Sequence, residues 1–282
     1  MTARVAVIGT GIMGSGIAAN FLKHGYPVTV WNRTPEHAQT LLDQGATLAD
    51  SPHRATEAAD IIFEVTASDE SSQAVWLGDD GILTGADQSK TLITSATLTV
   101  TWTEELAAQC AERQLTFFDM PMTGGRAAAE AGQLTLLVGG DEAKLSNLQP
   151  TLSAISAKQY YFGPAGSGMK YKLILNSLQA THLVAFGEAM RLAAQAGLEP
   201  SKVGPALVDR PGGVLTQIAW EAYQQAQPPL TFSVDWITKD LGYAQTLAGD
   251  INLPLFKDVL GEFKKTQDEG HGTDDWTVVN IH

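Results

Sequence analysis

The segment VAVIGTGIMGSGIAANFLKHG, residues 5–25, restricts the possible folds of this chain more than any other. A short apolar run rich in β-branched residues leads into Gly9, Gly11 and Gly14, spaced G-x-G-x-x-G, and then into a helical pattern. A glycine-rich turn can produce that spacing by itself. With a strand before it, a helix after it and a second strand beyond, it reads as a dinucleotide fingerprint. Gly9 permits the tight turn, Gly11 lets the backbone approach a pyrophosphate, and Gly14 lets the helix pack on the strand. The helix start, with Ile12 and Met13 in its first turn, offers free N–H groups and a positive dipole end to phosphates.

The rest of the first half continues the alternation. The β-rich runs RVAVIG, PVTVWN, DIIFEVT, KTLITS, LTFFDMP and LTLLVGG are separated by helix-compatible stretches such as PEHAQTLLDQG. This pattern predicts βαβ units and a mostly parallel sheet covered on both faces. After Phe162 the texture changes: residues 168–196 form a Leu- and Ala-rich helical pattern without proline. Beyond it the chain reads as helices separated by turns at GLEPS, DRPGG, AQPP and GDINLP. The expected architecture is therefore α/β, a doubly wound Rossmann-type domain over residues 1–164. An all-helical domain over residues 165–282 follows, opened by a long interdomain helix.

Charge narrows the partners. The formal net charge of −13, with no cluster of five or more Lys and Arg, sets up a field that repels nucleic acid and anionic membranes. A small anionic substrate would need a locally positive pocket. The single cysteine, Cys110, excludes an internal disulfide. The run beginning at Val5 lacks a signal-peptide pattern, and no apolar stretch reaches membrane-spanning length. The expectation is a soluble, cytoplasmic protein. The histidines form no metal-spaced cluster with Cys or acids, so no metal is expected.

At the end of the second strand, where an NAD site places an acid for the ribose 2′-hydroxyl, stands Trp31-Asn32-Arg33-Thr34. A carboxylate would repel a 2′-phosphate. Arg33 can instead form a charge-assisted fork with it, and Asn32 and Thr34 can hydrogen-bond it. This favours NADP (NADPH) over NAD; a solvated surface arginine is the alternative for Arg33.

Several spaced motifs, in order and nearly end to end, resemble the β-hydroxyacid dehydrogenase family. They are GTGIMGSGIAANFLKHG, SAT at 95–97, DMPMTGGRAAAEAGQL at 119–134, GSGMKYKLILN at 166–176, GEAMRLAAQAGLEP, KDLGYA and GHGTDDW. The family includes 3-hydroxyisobutyrate dehydrogenase and the glyoxylate and succinic semialdehyde reductases, with 6-phosphogluconate dehydrogenase and the imine reductases as relatives. The resemblance implies that Thr123, Gly124 and Gly125 hold a substrate carboxylate, in a loop whose N–H groups can cradle an anion. Unaided, that stretch reads equally as an ordinary turn. Thr97 matches a residue near nicotinamide and substrate, though alone it reads as a strand end. Lys239, with Asp240, matches a lysine that closes over the cofactor.

The pattern G-x-G-x-x-x-K-x-x-x-N falls on Gly166, Gly168, Lys172 and Asn176. It implies that Lys172 is the catalytic lysine and Asn176 its partner. Their i, i+4 spacing puts both on one helix face, whereas Lys170 points elsewhere as a surface or phosphate-side charge. Without the resemblance, a snorkelling or salt-bridged helix lysine is the weightier reading of Lys172. In a cleft beside a cationic nicotinamide its pKa would fall toward neutrality, where it can exchange a proton with a substrate oxygen. Arg126 and Arg210 are candidate anion binders, with solvated charge as the plainer reading.

Some positions depart from the family. Thr94-Ser95-Ala96-Thr97 replaces Asp-x-Ser-Thr, Met120 and Met122 flank Pro121 in place of Ala and Val, and Ala67 stands near an expected proline. The stretch 209–213 has no counterpart. These departures bear on substrate more than on reaction type. The resemblance implies NADP-dependent oxidoreduction of a small carboxylated carbonyl or hydroxy acid by a homodimer or larger homo-oligomer. An imine reductase is one alternative, although those enzymes usually carry Asp or Tyr at the position of Lys172. A non-catalytic NADP-binding protein is the other.

Overall fold

The computed structural model describes residues 2–208 and 250–280, with 225, 230, 233–235, 237–238, 241 and 245 between them. The chain divides into two compact units, Met1–Asn176 and Ser177–His282.

The first unit is a Rossmann-like α/β layer structure. Strands β1 (Val5–Ile8), β2 (Val28–Trp31), β3 (Thr47–Leu48), β4 (Ile61–Glu64), β5 (Thr91–Thr94) and β6 (Thr116–Asp119) are followed by β7 (Met122–Thr123), β8 (Leu134–Gly140) and β9 (Ser156–Gly163). The first six run parallel in the order β3-β2-β1-β4-β5-β6. β8 then joins β6 antiparallel, with β7 antiparallel and β9 parallel to β8. All six apolar runs expected as strands form strands. The additional β3 and β7 are two residues each, too short to show a period. β9 is exposed along most of its length, so no buried face marks it in the sequence.

Both faces of the sheet are covered, as parallel strands require. On one face Val5, Val7, Phe63 and Phe118 pack with Ile17 and Phe21 of the helix Ile12–Lys23. On the other, Ile8, Ile62, Leu92 and Phe117 pack with Trp76 and Leu106. The rings of Trp76 and Phe117 meet edge to face, 5.9 Å apart. The strand order reverses beside β1, which opens a crevice at the C-terminal ends of β1, β2 and β4.

The long helix, Ser167–Gln195, begins in the first unit and continues into the second. Its 29 residues match the proline-free stretch expected to be helical. The second unit also contains the helices Pro200–Val208 and Pro254–Thr266. Val234, Phe263 and Val278 form an apolar cluster there, and Ser233 bridges Asp275. The expected turns at DRPGG and AQPP lie outside the described residues, as do Arg210, Lys239 and Asp240. Among the described residues, no helix is long and apolar enough to cross a membrane.

Candidate active site

The three loops at the crevice line one cleft of about 580 Å³. Gly9, with φ +100°, makes the turn out of β1, and a Cβ there would sit 2.4 Å from the Val65 carbonyl oxygen. A Cβ on Gly14 would lie 1.9 Å from the Gly9 carbonyl oxygen, so helix and turn pack without room for a side chain. Gly11 is the opposite case, with nothing within 4 Å of its would-be Cβ. The helix that starts at Ile12 has no side-chain cap, and Ile12 itself is 56% exposed on the cleft. Open space at Gly11, uncapped helical N–H groups and an apolar contact surface together fit a pyrophosphate-containing dinucleotide.

Met13, Asn32, Arg33 and Thr34 line the same cleft. The Asn32 side chain is used within the protein: it accepts from the Thr10 N–H at 3.0 Å and donates to the Thr34 carbonyl at 2.9 Å. It therefore ties the glycine loop to the end of β2, a different use from the phosphate contact expected of it. Arg33 is exposed on the cleft and pairs with no acid among the described residues. His37 was missed by sequence reasoning. The 3₁₀ turn Pro35–Ala38, with proline in its first turn, returns His37 to the cleft wall beside Arg33 and Thr34.

A second cluster forms where the long helix begins. Asp119, the last residue of β6, is fully buried. Its carboxylate accepts the N–H groups of Gly166 and Met169, each at 2.7 Å. Its oxygens thus cap the helix start, accepting N–H groups at the positive dipole end. Met169 is fully buried, and its sulfur accepts the Leu98 N–H at 3.2 Å, which brings the 95–98 loop, and with it exposed Thr97, to the helix start.

Lys172 and Asn176 follow on successive turns of this anchored segment. Lys172 is half-buried, and the loss of hydration holds its amine below the ordinary lysine range. It forms no ion pair among the described residues. Lys170, by contrast, pairs with Glu104 at 2.8 Å on the surface, and Arg126 reaches Glu130 at 3.8 Å. The two lysines have separate roles: one is a solvated ion pair, the other an unpaired amine in a desolvated position. Asn176 is exposed. Thr123 is not in a loop as expected but ends the short strand β7. Gly124 and Gly125, with φ +122° and +66°, then turn the chain into the helix Gly125–Ala131.

Between the two clusters lies a row of buried polar groups. Glu64, Thr94 and Asp119 are register partners at the C-terminal ends of β4, β5 and β6. Glu64 accepts from the Thr94 hydroxyl at 2.5 Å, from the Thr66 N–H at 3.0 Å and from the Thr66 hydroxyl. Burial pushes the carboxyls of Glu64 and Asp119 up, against the pull of these hydrogen bonds.

Comparison with known proteins places this arrangement. Residues 4–163 match the NAD-binding domain of 6-phosphogluconate dehydrogenase, and residues 166–280 match the NAD-binding domain of NADP-dependent 3-hydroxyisobutyrate dehydrogenase. The chain belongs to the β-hydroxyacid dehydrogenase family. The mitochondrial 3-hydroxyisobutyrate dehydrogenase of Rattus norvegicus is 31% identical over 89% of this chain and 77% of its own. A structure of Mycobacterium tuberculosis 3-hydroxyisobutyrate dehydrogenase with L-serine is 26% identical and superposes with TM-score 0.69 over 99% of this chain and 98% of that one. An imine reductase variant from Myxococcus stipitatus has the same fold, with TM-score 0.88, 18% identity and coverage of 100% and 99%. As a β-hydroxyacid dehydrogenase family member the chain is an oxidoreductase that binds a nicotinamide cofactor, and the glycine-loop cleft fits that group. Among the described residues, no group of three or more His, Cys, Asp or Glu could hold a metal ion.

Proposed function

We propose that the chain is an NADP(H)-dependent oxidoreductase interconverting a small β-hydroxy acid and its aldehyde or keto acid, of semialdehyde or glyoxylate type. The observation that carries this reading is the environment of Lys172: unpaired, half-buried, with a lowered pKa, on a helix start pinned by Asp119. When bound, the dinucleotide supplies the hydride. Lys172 gives its proton to the carbonyl oxygen in reduction and takes it back in oxidation. Asn176 orients the substrate, and Thr123 with the Gly124 and Gly125 N–H groups holds its carboxylate. Arg33 and Thr34, on the cleft wall, would hold the 2′-phosphate.

The test is NADPH oxidation against glyoxylate, succinic semialdehyde, methylmalonate semialdehyde and cyclic imines, with wild type and Lys172→Ala. A carboxylated carbonyl should be reduced, and the substitution should lower kcat by about 10²–10⁴. Turnover of imines alone, or an undiminished Lys172→Ala enzyme, would sink the mechanism. Arg33→Ala should raise KM for NADPH about tenfold and leave that for NADH nearly unchanged, the loss of one charge-assisted contact. Equal effects on both cofactors would refute the NADP assignment.

A further inference from the structure

We propose that Glu64 is a positioning residue for the dinucleotide cleft, holding the wall segment 65–67 in place and fixing the Thr66 hydroxyl as a hydrogen-bond acceptor toward the ligand. The inference rests on the cofactor reading above. Glu64 is fully buried, a costly location for a carboxyl that an apolar residue would fill more cheaply. Its neighbours can all donate to it: the Thr66 N–H, the Thr66 hydroxyl and the Thr94 hydroxyl. A carboxylate can accept them all without rearrangement.

The next three residues, Val65, Thr66 and Ala67, line the cleft. Val65 also presses its carbonyl against Gly9 so closely that a Cβ there would be 2.4 Å away. Glu64 thus clamps the cleft wall to β5 from behind, at the point where that wall buttresses the glycine turn. When Glu64 is ionised, the Thr66 hydroxyl donates its proton inward and only its lone pairs remain for the cleft. The groups it can meet are donors, such as a ribose hydroxyl or an amide N–H of the bound dinucleotide.

The test measures Kd for NADPH and NADH by quenching of tryptophan fluorescence, with KM for the carbonyl substrate at saturating cofactor. Glu64→Met should weaken both dinucleotides about tenfold, the loss of roughly one to two hydrogen bonds' worth of fixation. The substrate KM should stay within about twofold, since the Asp119 cluster that carries Lys172 is untouched. Glu64→Gln, whose amide can still accept from Thr66 and donate to Thr94, should recover most of the affinity. Thr94→Val removes one donor and leaves the acid in place, so it carries the test if Glu64→Met fails to fold; about a threefold rise in Kd is expected. Unchanged Kd in both Glu64→Met and Thr94→Val, or a parallel loss of cofactor and substrate binding, would overturn the inference. If wild type binds neither dinucleotide, the cofactor reading falls, and this inference falls with it.

Discussion

Lys170 and Lys172 are two residues apart, yet they meet opposite environments, and helical geometry is the reason. Lys170 projects toward Glu104 and forms an exposed ion pair, an arrangement worth at most about 1 kcal/mol. Lys172 turns to the desolvated side, where no carboxylate among the described residues pairs with it. The i, i+4 relation to Asn176 made that separation legible in sequence; the missing ion pair was not, because it depends on what the other elements bring near. A pH prediction follows from the direction of the shift. Lys172 must be protonated to act as an acid, so kcat for reduction should fall as pH rises through its lowered pKa. Oxidation, which needs the free amine, should rise through the same window, below the ordinary value of about 10.4. Opposed profiles in the two directions, both lost in Lys172→Arg because arginine does not release its proton, would support the assignment. Parallel profiles would count against it.

At the scale of elements, the start of the long helix shows most clearly what sequence reading could reach. Twenty-nine residues without proline announce the helix itself. Its anchor could not be read, since Asp119 lies 47 and 50 residues from the N–H groups it caps. Nothing local in DMP marks that carboxylate as a cap. β9 stayed hidden for a related reason: an edge strand with no buried face has no alternation to detect. The glycine loop was readable position by position because its constraints are local. The two glycine sites therefore predict different outcomes. A Cβ on Gly168 would lie 2.2 Å from the Leu137 carbonyl oxygen and 3.0 Å from Asp119 Oδ2, so Gly168→Ala must displace the helix start. It should cost about 1–3 kcal/mol in urea unfolding and lower kcat as Lys172 moves. Gly11→Ala meets open space, so stability should barely change while cofactor Kd rises. Similar behaviour of the two variants in both assays would contradict this division of labour.

For the whole molecule, the acidic balance and the buried carboxyls act on stability in the same direction. Folding strands Glu64 and Asp119 in a sheet interior where ionisation is penalised, within a chain of formal charge −13. Each carboxyl has a folded pKa above its unfolded one, so the stability it contributes is complete below about pH 4 and is lost as pH rises through the folded value. Self-repulsion of the excess negative charge grows over the same range. Opposing contributions are small: Arg4 holds Asp60 low, but that pair is about half exposed and screened. Lys172 has the reverse sign, acting between its lowered pKa and the ordinary value of about 10.4. Without cofactor, these two carboxyls should therefore make the protein lose stability as pH rises above the ordinary carboxylate range toward their raised folded values. Glu64→Gln cannot ionise, so its unfolding free energy should gain on wild type as pH rises from the ordinary glutamate range toward the raised Glu64 value. Denaturant unfolding of both proteins through the pH series measures this directly. A difference that stays constant with pH would mean that the Glu64 hydrogen bonds from Thr66 and Thr94 offset the burial in full, so that the carboxyl binds its proton equally in the folded and unfolded chain.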